Sequence, residues 1–203
     1  MHIAVTGNIG AGKTTLTRML AEHFGWEVFY EAVENNPYLA PFYDDMERWS
    51  FHLQIYFLRS RFDQARQIMH STKRIIQDRT IYEDAHIFAK NLYDSGTMSK
   101  VDYDTYYSLF ETMMSVVKPP DLMIYLQADL SKLTRQIALR GRDFEMNMST
   151  DYLAALNQHY EAFIDQYKDG KVLILNVNEL DYVNNAADFE FIVKEVDRAL
   201  LYA

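Results

Sequence analysis

The sequence predicts an α/β fold: a five-stranded parallel sheet flanked by helices. Three observations predict it. Five short apolar, β-prone runs alternate with segments of helical periodicity along 203 residues, the pattern of parallel strands joined by helical crossovers. A glycine-rich loop separates the first strand from the first helix. No repeat, low-complexity tract or linker interrupts the alternation, so residues 1–203 read as one domain.

Ile3 to Thr6 forms the first run, followed by Gly7-Asn8-Ile9-Gly10-Ala11-Gly12-Lys13-Thr14-Thr15 and an amphipathic helix from Leu16 to Phe24. Gly7, Gly12, Lys13 and Thr14 satisfy the phosphate-loop pattern in the strand-then-helix context it requires. Glycines let successive backbone N–H groups converge on a phosphate, and the helix N-terminus adds its positive dipole end. Lys13 is placed to reach the β- and γ-phosphates of a nucleotide, and the Thr14 hydroxyl to ligate Mg²⁺.

Trp26 to Tyr30 reads as the second strand, ending at Glu31. Ligands of open parallel sheets bind beyond the C-terminal strand ends, so Glu31 stands either beside the phosphate loop or as a solvated loop glutamate. Two prolines interrupt a short helix over 35–45. A long helix runs from Glu47 to about His70, with apolar residues nearly encircling its first half. Gln54 and Arg61 lie seven apart inside that apolar stripe and need hydrogen-bond partners, from the protein or from a ligand.

Lys73 to Gln77 is the third strand, ending in Asp78-Arg79-Thr80. An acidic residue there can help hold Mg²⁺, and Arg79 can pair with Glu31 or with a phosphate. A helix from Tyr82 to about Tyr93 carries Asp84 and Phe88 on one face. Another spans Val101 to about Val117 and stops before Pro119-Pro120. These two helices offer either a partner surface or core. Asp121 to Gln127 is a nearly continuous apolar strand suited to a buried position. The helix over 130–139 leads into Arg140-Gly141-Arg142, either a solvated charge pair or a clamp on phosphates. A helix over 149–168, a fifth strand from Val172 to Val177 and a terminal helix near 184–201 complete the chain.

Composition narrows the function. A net charge of −9 argues against a nucleic acid polymer as partner, and no apolar run approaches a membrane span. The absence of cysteine excludes disulfides and thiolate chemistry and is compatible with a cytoplasmic location. The first strand begins at once, so no leader peptide is expected. Scattered histidines give no zinc-ligand spacing.

With these pieces placed, nearly the whole chain resembles the deoxyribonucleoside kinases. The matching residues are the Gly7–Thr15 loop, Glu31-Ala32-Val33, Tyr43, Glu47 to Phe51 with Gln54, Asp78 to Tyr82, Ile87 to Leu92 and Arg140-Gly141-Arg142. The resemblance implies a phosphate-loop kinase fold with an arginine-bearing lid. It implies transfer of the γ-phosphoryl group of ATP, with Mg²⁺, to the 5′-hydroxyl of a deoxynucleoside, in an enzyme that is commonly a homodimer. By resemblance, Glu31 is the base, Arg79 its phosphate-side partner, and Tyr43 with Glu145 binds the 3′-hydroxyl. Gln54 reads the base edge and Phe88 stacks on it, with Val33, Leu39 and Phe42 among the substrate contacts and Arg140 and Arg142 in the lid. An arginine and an aspartate at Arg61 and Asp84 go with purine or cytosine substrates, and deoxyadenosine is the expected preference.

Three positions depart from the family pattern: Ala32 replaces a frequent proline, Asp78 a longer glutamate, and Gln136 the first lid arginine, with Arg135 one position off. Two rivals share the phosphate loop. A nucleoside monophosphate kinase binds an acceptor phosphate that Glu31 would repel. A nucleotide-dependent switch would leave Gln54 without a purpose, and no guanine-reading Asn-Lys-x-Asp is present.

Overall fold

The computed structural model describes residues 1–30, 36–142 and 148–201. The strands are β1 (His2–Gly7), β2 (Glu27–Phe29), β3 (Ile75–Asp78), β4 (Leu122–Gln127) and β5 (Lys171–Asn176). They form one parallel sheet in the order β2-β3-β1-β4-β5. The chain leaves β1 in the middle of the sheet, with later strands added on either side. That reversal opens the crevice in which such sheets bind ligands.

Helix α1 (Lys13–Phe24) follows β1, and α2 (Leu39–Asp44) with the long α3 (Met46–His70) separates β2 from β3. After β3 come α4 (Ile81–Glu83), a π-helical stretch Asp84–Ala89, α5 (Lys90–Asp94) and α6 (Lys100–Met114). Helices α7 (Leu130–Arg140), α8 (Thr150–Gln166) and α9 (Ala186–Leu201) complete the layers. The expected single helix over 82–93 therefore changes hydrogen-bonding pattern at Asp84, a widening of the helix that often accompanies function. Strand two is shorter than expected, and Asp78 belongs to β3 rather than following it.

Alternation along β4 shows how the sheet serves two cores. Leu122, Ile124 and Leu126 join Ile3, Val5 and Leu16 on one face, while Met123 and Tyr125 pack with Leu58, Ile87 and Tyr106 on the other. A third cluster, Phe42, Leu53, Leu92 and Met98, ties the middle of the chain together. The two segments weighed as a partner surface resolve differently. Ile81 to Ala85 and Ile87 to Ala89 are buried, whereas α6 leaves Val101 76% and Leu109 38% exposed. No helix of the described residues is long and apolar enough to cross a membrane.

Candidate active site at the sheet switch point

The glycine-rich loop is shaped by close approach. Gly10 has φ +84°, and a Cβ there would lie 2.7 Å from the Leu133 carbonyl oxygen. Gly12 has φ +94°, and a Cβ would lie 2.1 Å from the Tyr182 hydroxyl oxygen. Only glycine meets both conditions. Because Gly12 caps α1 without a side-chain bond, the first-turn N–H groups remain available to an anion. The helix starts at Lys13, three residues earlier than its apolar period suggests.

Asn8 fixes the loop from inside. It is buried, and its Nδ2 donates to the Leu153 carbonyl at 3.0 Å and to Asn157 Oδ1 at 2.5 Å. Its Oδ1 accepts from the Ile9 N–H at 2.7 Å, while the Lys13 ammonium donates to the Asn8 carbonyl at 3.0 Å. Asn157 was not legible from sequence; nothing in its helical surroundings marks a bond to a loop so distant along the chain.

Parallel pairing sets Val5 against Asp78, which brings the end of β3 beside the loop. The Thr14 hydroxyl donates to Asp78 Oδ2 at 2.5 Å. Asp78 Oδ1 is buried and has no hydrogen-bond partner among the described residues. An unmet carboxylate oxygen beside a hydroxyl at a phosphate loop fits a hard, oxygen-liganded cation such as Mg²⁺. Among the described residues no cluster of three acidic or histidine side chains could hold a metal alone, so phosphate oxygens would supply the remaining ligands.

Arg79 follows with φ +67°, a conformation in which a non-glycine residue is strained. Its guanidinium lies 4.4 Å from the centroid of the Phe88 ring, and its Nε is 3.9 Å from Glu83 Oε1. Behind this wall, Arg61 Nε stands 3.5 Å from Asp84 Oδ2, with both side chains almost wholly buried. Arg61 also donates to the Asp78 carbonyl at 3.4 Å. The Tyr106 hydroxyl is fully buried near this pair; burial first, then the Asp84 carboxylate, hold its pKa well above the usual value. Tyr106 and Glu83 were both missed at the sequence level. For Glu83 a signal was present: Thr80 and Glu83 have the spacing of a capping box, and both of its bonds form.

These pieces share one cavity of about 950 Å³. The loop residues Ile9, Gly10, Gly12, Lys13, Thr14 and Thr15 line one end, with Asp78 and Arg79 beside them. Leu39, Phe42, Tyr43, Gln54, Asp84 and Phe88 line another part, and Arg140, Arg142 and Gln136 also border the cavity. Gln54 is 4% exposed, and its Oε1 finds no hydrogen-bond partner among the described residues. A buried amide oxygen left unmet by the protein is available to a ligand. Tyr152 also borders the cavity; burial pushes its pKa up to about 12, so it stays a neutral hydroxyl. Gly7, Asn8, Ala11 and Arg61 lie beneath the cavity rather than on its surface, and Arg135 does not border it. Glu31, Val33 and Glu145 lie outside the described residues.

Comparison with known proteins gives the same picture. The deoxynucleoside kinase family pattern matches residues 3–201. A deoxyadenosine/deoxycytidine kinase of Bacillus subtilis is 46% identical over 196 residues, covering 96% of this chain and 90% of the relative. A deoxyadenosine kinase of Lactobacillus acidophilus is 38% identical, covering 98% and 95%. The solved structure of deoxyadenosine kinase from M. mycoides with products dCMP and a flexible dCDP bound superposes with a TM-score of 0.86. It is 34% identical and is covered completely, against 98% of this chain. A phosphate loop, a buried unmet amide lining the same cavity, and a family match along nearly the whole length converge: the chain belongs to the deoxynucleoside kinase family.

Proposed function

We propose that residues 1–203 act as a single-domain enzyme that phosphorylates deoxyadenosine in preference to other deoxynucleosides, with deoxycytidine or deoxyguanosine next and thymidine poor. The observation that carries this reading is the continuous cavity from Lys13 and Thr14 to Gln54 and Phe88. Its volume suits a nucleoside and the phosphates of ATP together. Phe88 offers a ring face to the base, and the unmet Gln54 Oε1 can accept from the exocyclic amine of adenine or cytosine. The names of the relatives, deoxyadenosine and deoxyadenosine/deoxycytidine kinases, support deoxyadenosine as a substrate.

In this reading Glu31 orients the 5′-hydroxyl and accepts its proton as the new bond forms. Arg79 faces the reacting phosphoryl group, and Tyr43 with Glu145 binds the 3′-hydroxyl. Val33, Leu39 and Phe42 enclose the nucleoside. Lys13, Arg140 and Arg142 stabilise the charge that spreads over the phosphoryl oxygens. Thr14 and Asp78 hold Mg²⁺, which when bound neutralises phosphate charge. We further propose a homodimer working in the cytoplasm; the exposed Val101 and Leu109 of α6 suit a subunit contact.

A panel of deoxynucleosides assayed with ATP tests the substrate. Glu31→Gln tests the chemistry: kcat should fall on the order of 10²-fold or more while nucleoside affinity changes less. A wild-type kcat in that variant removes Glu31 from the role of base.

A further inference from the structure

Glu83 has no exposed surface, and a buried carboxylate is costly unless partners meet it. Its Oε2 accepts from the Thr80 N–H at 2.7 Å and the Thr80 hydroxyl at 3.4 Å. Its Oε1 accepts from the Tyr160 hydroxyl at 3.0 Å and stands 3.9 Å from Arg79 Nε. A neutral glutamine would close the capping box equally well, so the box does not explain a buried charge. What the charge faces is Arg79.

Arg79 is the residue whose placement needs such support. Its backbone is strained at φ +67°, and its guanidinium sits over the Phe88 ring, 4.4 Å from the centroid, while bordering the cavity. The next residue, Asp84, faces Arg61 instead. Successive helical residues point about 100° apart, so two adjacent carboxylates direct two guanidinium groups to different places: Arg79 to the cavity wall, Arg61 beneath it.

We infer that Glu83 is a positioning residue for phosphoryl transfer: its carboxylate holds the Arg79 guanidinium in register with the reacting group and against the face of Phe88. The inference rests on the reading of Arg79 as the cation beside the transferred phosphoryl group. The contact is too long for a hydrogen bond and lies just within ion-pair distance, but in a buried setting attraction at that range is weakly screened.

Steady-state kinetics with ATP and deoxyadenosine on the wild type, Glu83→Gln, Arg79→Ala and the double variant test it, with thermal melting to confirm folding. Glu83→Gln should lower kcat about tenfold or more, since small misplacements of catalytic groups cost that much, and leave the KM for deoxyadenosine little changed. In the Arg79→Ala background the same change should cause no further loss. A folded Glu83→Gln with wild-type kcat beside a slow Arg79→Ala overturns this inference alone, as does an equal fractional loss in both backgrounds. Wild-type kcat in Arg79→Ala overturns the reading of Arg79 and this inference with it. Should Glu83→Gln not fold, Tyr160→Phe, which removes one bond to the carboxylate, goes through the same cycle. A kcat loss seen only when Arg79 is present supports the inference, and no such loss overturns it.

Discussion

Arg61, beneath the cavity, pairs with Asp84 on its wall, Nε to Oδ2 at 3.5 Å, with side chains 1% and 3% exposed. Neither charge has water to fall back on, so each relies on partners within the protein. Removing one partner of a buried pair typically costs about 3–5 kcal/mol, whereas replacing both with apolar groups is often close to neutral. Arg61→Met alone should therefore destabilise the protein more than Arg61→Met with Asp84→Ala, as read by urea denaturation. If the pair shapes the pocket against a 5-methyl base, the double variant should also raise thymidine phosphorylation relative to deoxyadenosine. A wild-type enzyme that already prefers thymidine would refute this reading of the pocket.

Gly12→Ala is a severe substitution for two separate reasons. Its φ of +94° disfavours any side chain, and the new methyl would overlap the Tyr182 hydroxyl at 2.1 Å. Tyr182 cannot simply yield, because it is packed in the core and its hydroxyl donates to the Gly12 carbonyl at 3.3 Å. Strain at such a position costs on the order of 1–3 kcal/mol before any clash. ATP binding measured by titration calorimetry should weaken at least tenfold, the fold-change of about 1.4 kcal/mol. Adding Tyr182→Phe should recover only part of it, since the backbone strain remains.

The sheet and the phosphate loop were legible because both depend on local pattern: alternation for strands, fixed glycines and a lysine for the loop. Gln54 and Arg61 were legible for a different reason, as polar residues within an apolar stripe that had to be answered. The Asp84 partner of Arg61 was legible only through the family resemblance, because no local pattern marks a partner on another helix; the packing of α3 against the Asp84–Ala89 stretch joins the two. The π-helical turn escaped for a related reason, since an α pattern and a π-widened one place the same apolar residues inward over so few positions. Glu83 was overlooked beside Asp84, because two adjacent acidic residues resemble a solvated helix start. One of its buried partners, Tyr160, comes from α8, far along the chain.

His2 gives the fold a dependence on pH. Burial, the largest influence, lowers its pKa from 6.5 to about 4, against the opposing effects of the Gln77 bond and Asp121. Its Nε2 donates to Gln77 Oε1 at 2.9 Å across the first and third strands. Because the folded pKa is depressed, the unfolded chain takes up the proton first as pH falls. Stability is thus full above pH 6.5 and declines toward pH 4, where the folded form also protonates. Urea midpoints at pH 7 and pH 5.5 should differ in the wild type, and His2→Phe should narrow that difference. An unchanged difference would assign the acid sensitivity to other groups.

Arg140 and Arg142 both border the cavity, yet they stand in different places along the chain. Arg140 is the last residue of α7, where a cation gains from the helix dipole by about 0.3–1 kcal/mol. Arg142 lies beyond the helix and has no such role. If both clamp phosphates, each alanine variant should lower kcat/KM for ATP through lost transition-state charge stabilisation, but only Arg140→Ala should also lower the melting temperature slightly. One turn back on α7, Gln136 faces the same cavity where the family pattern has an arginine, while the neighbouring Arg135 does not border it. A cation introduced at 136 would reach the space that Arg140 and Arg142 serve. Gln136→Arg in the Arg142→Ala background should therefore restore part of the lost kcat/KM, whereas Arg135→Ala should leave it near wild type. Restoration without any effect of Arg135→Ala would place the clamp on the face of α7 that carries Gln136. Loss of activity in Arg135→Ala equal to that in Arg142→Ala would instead show that α7 turns its other face to the phosphates during the reaction.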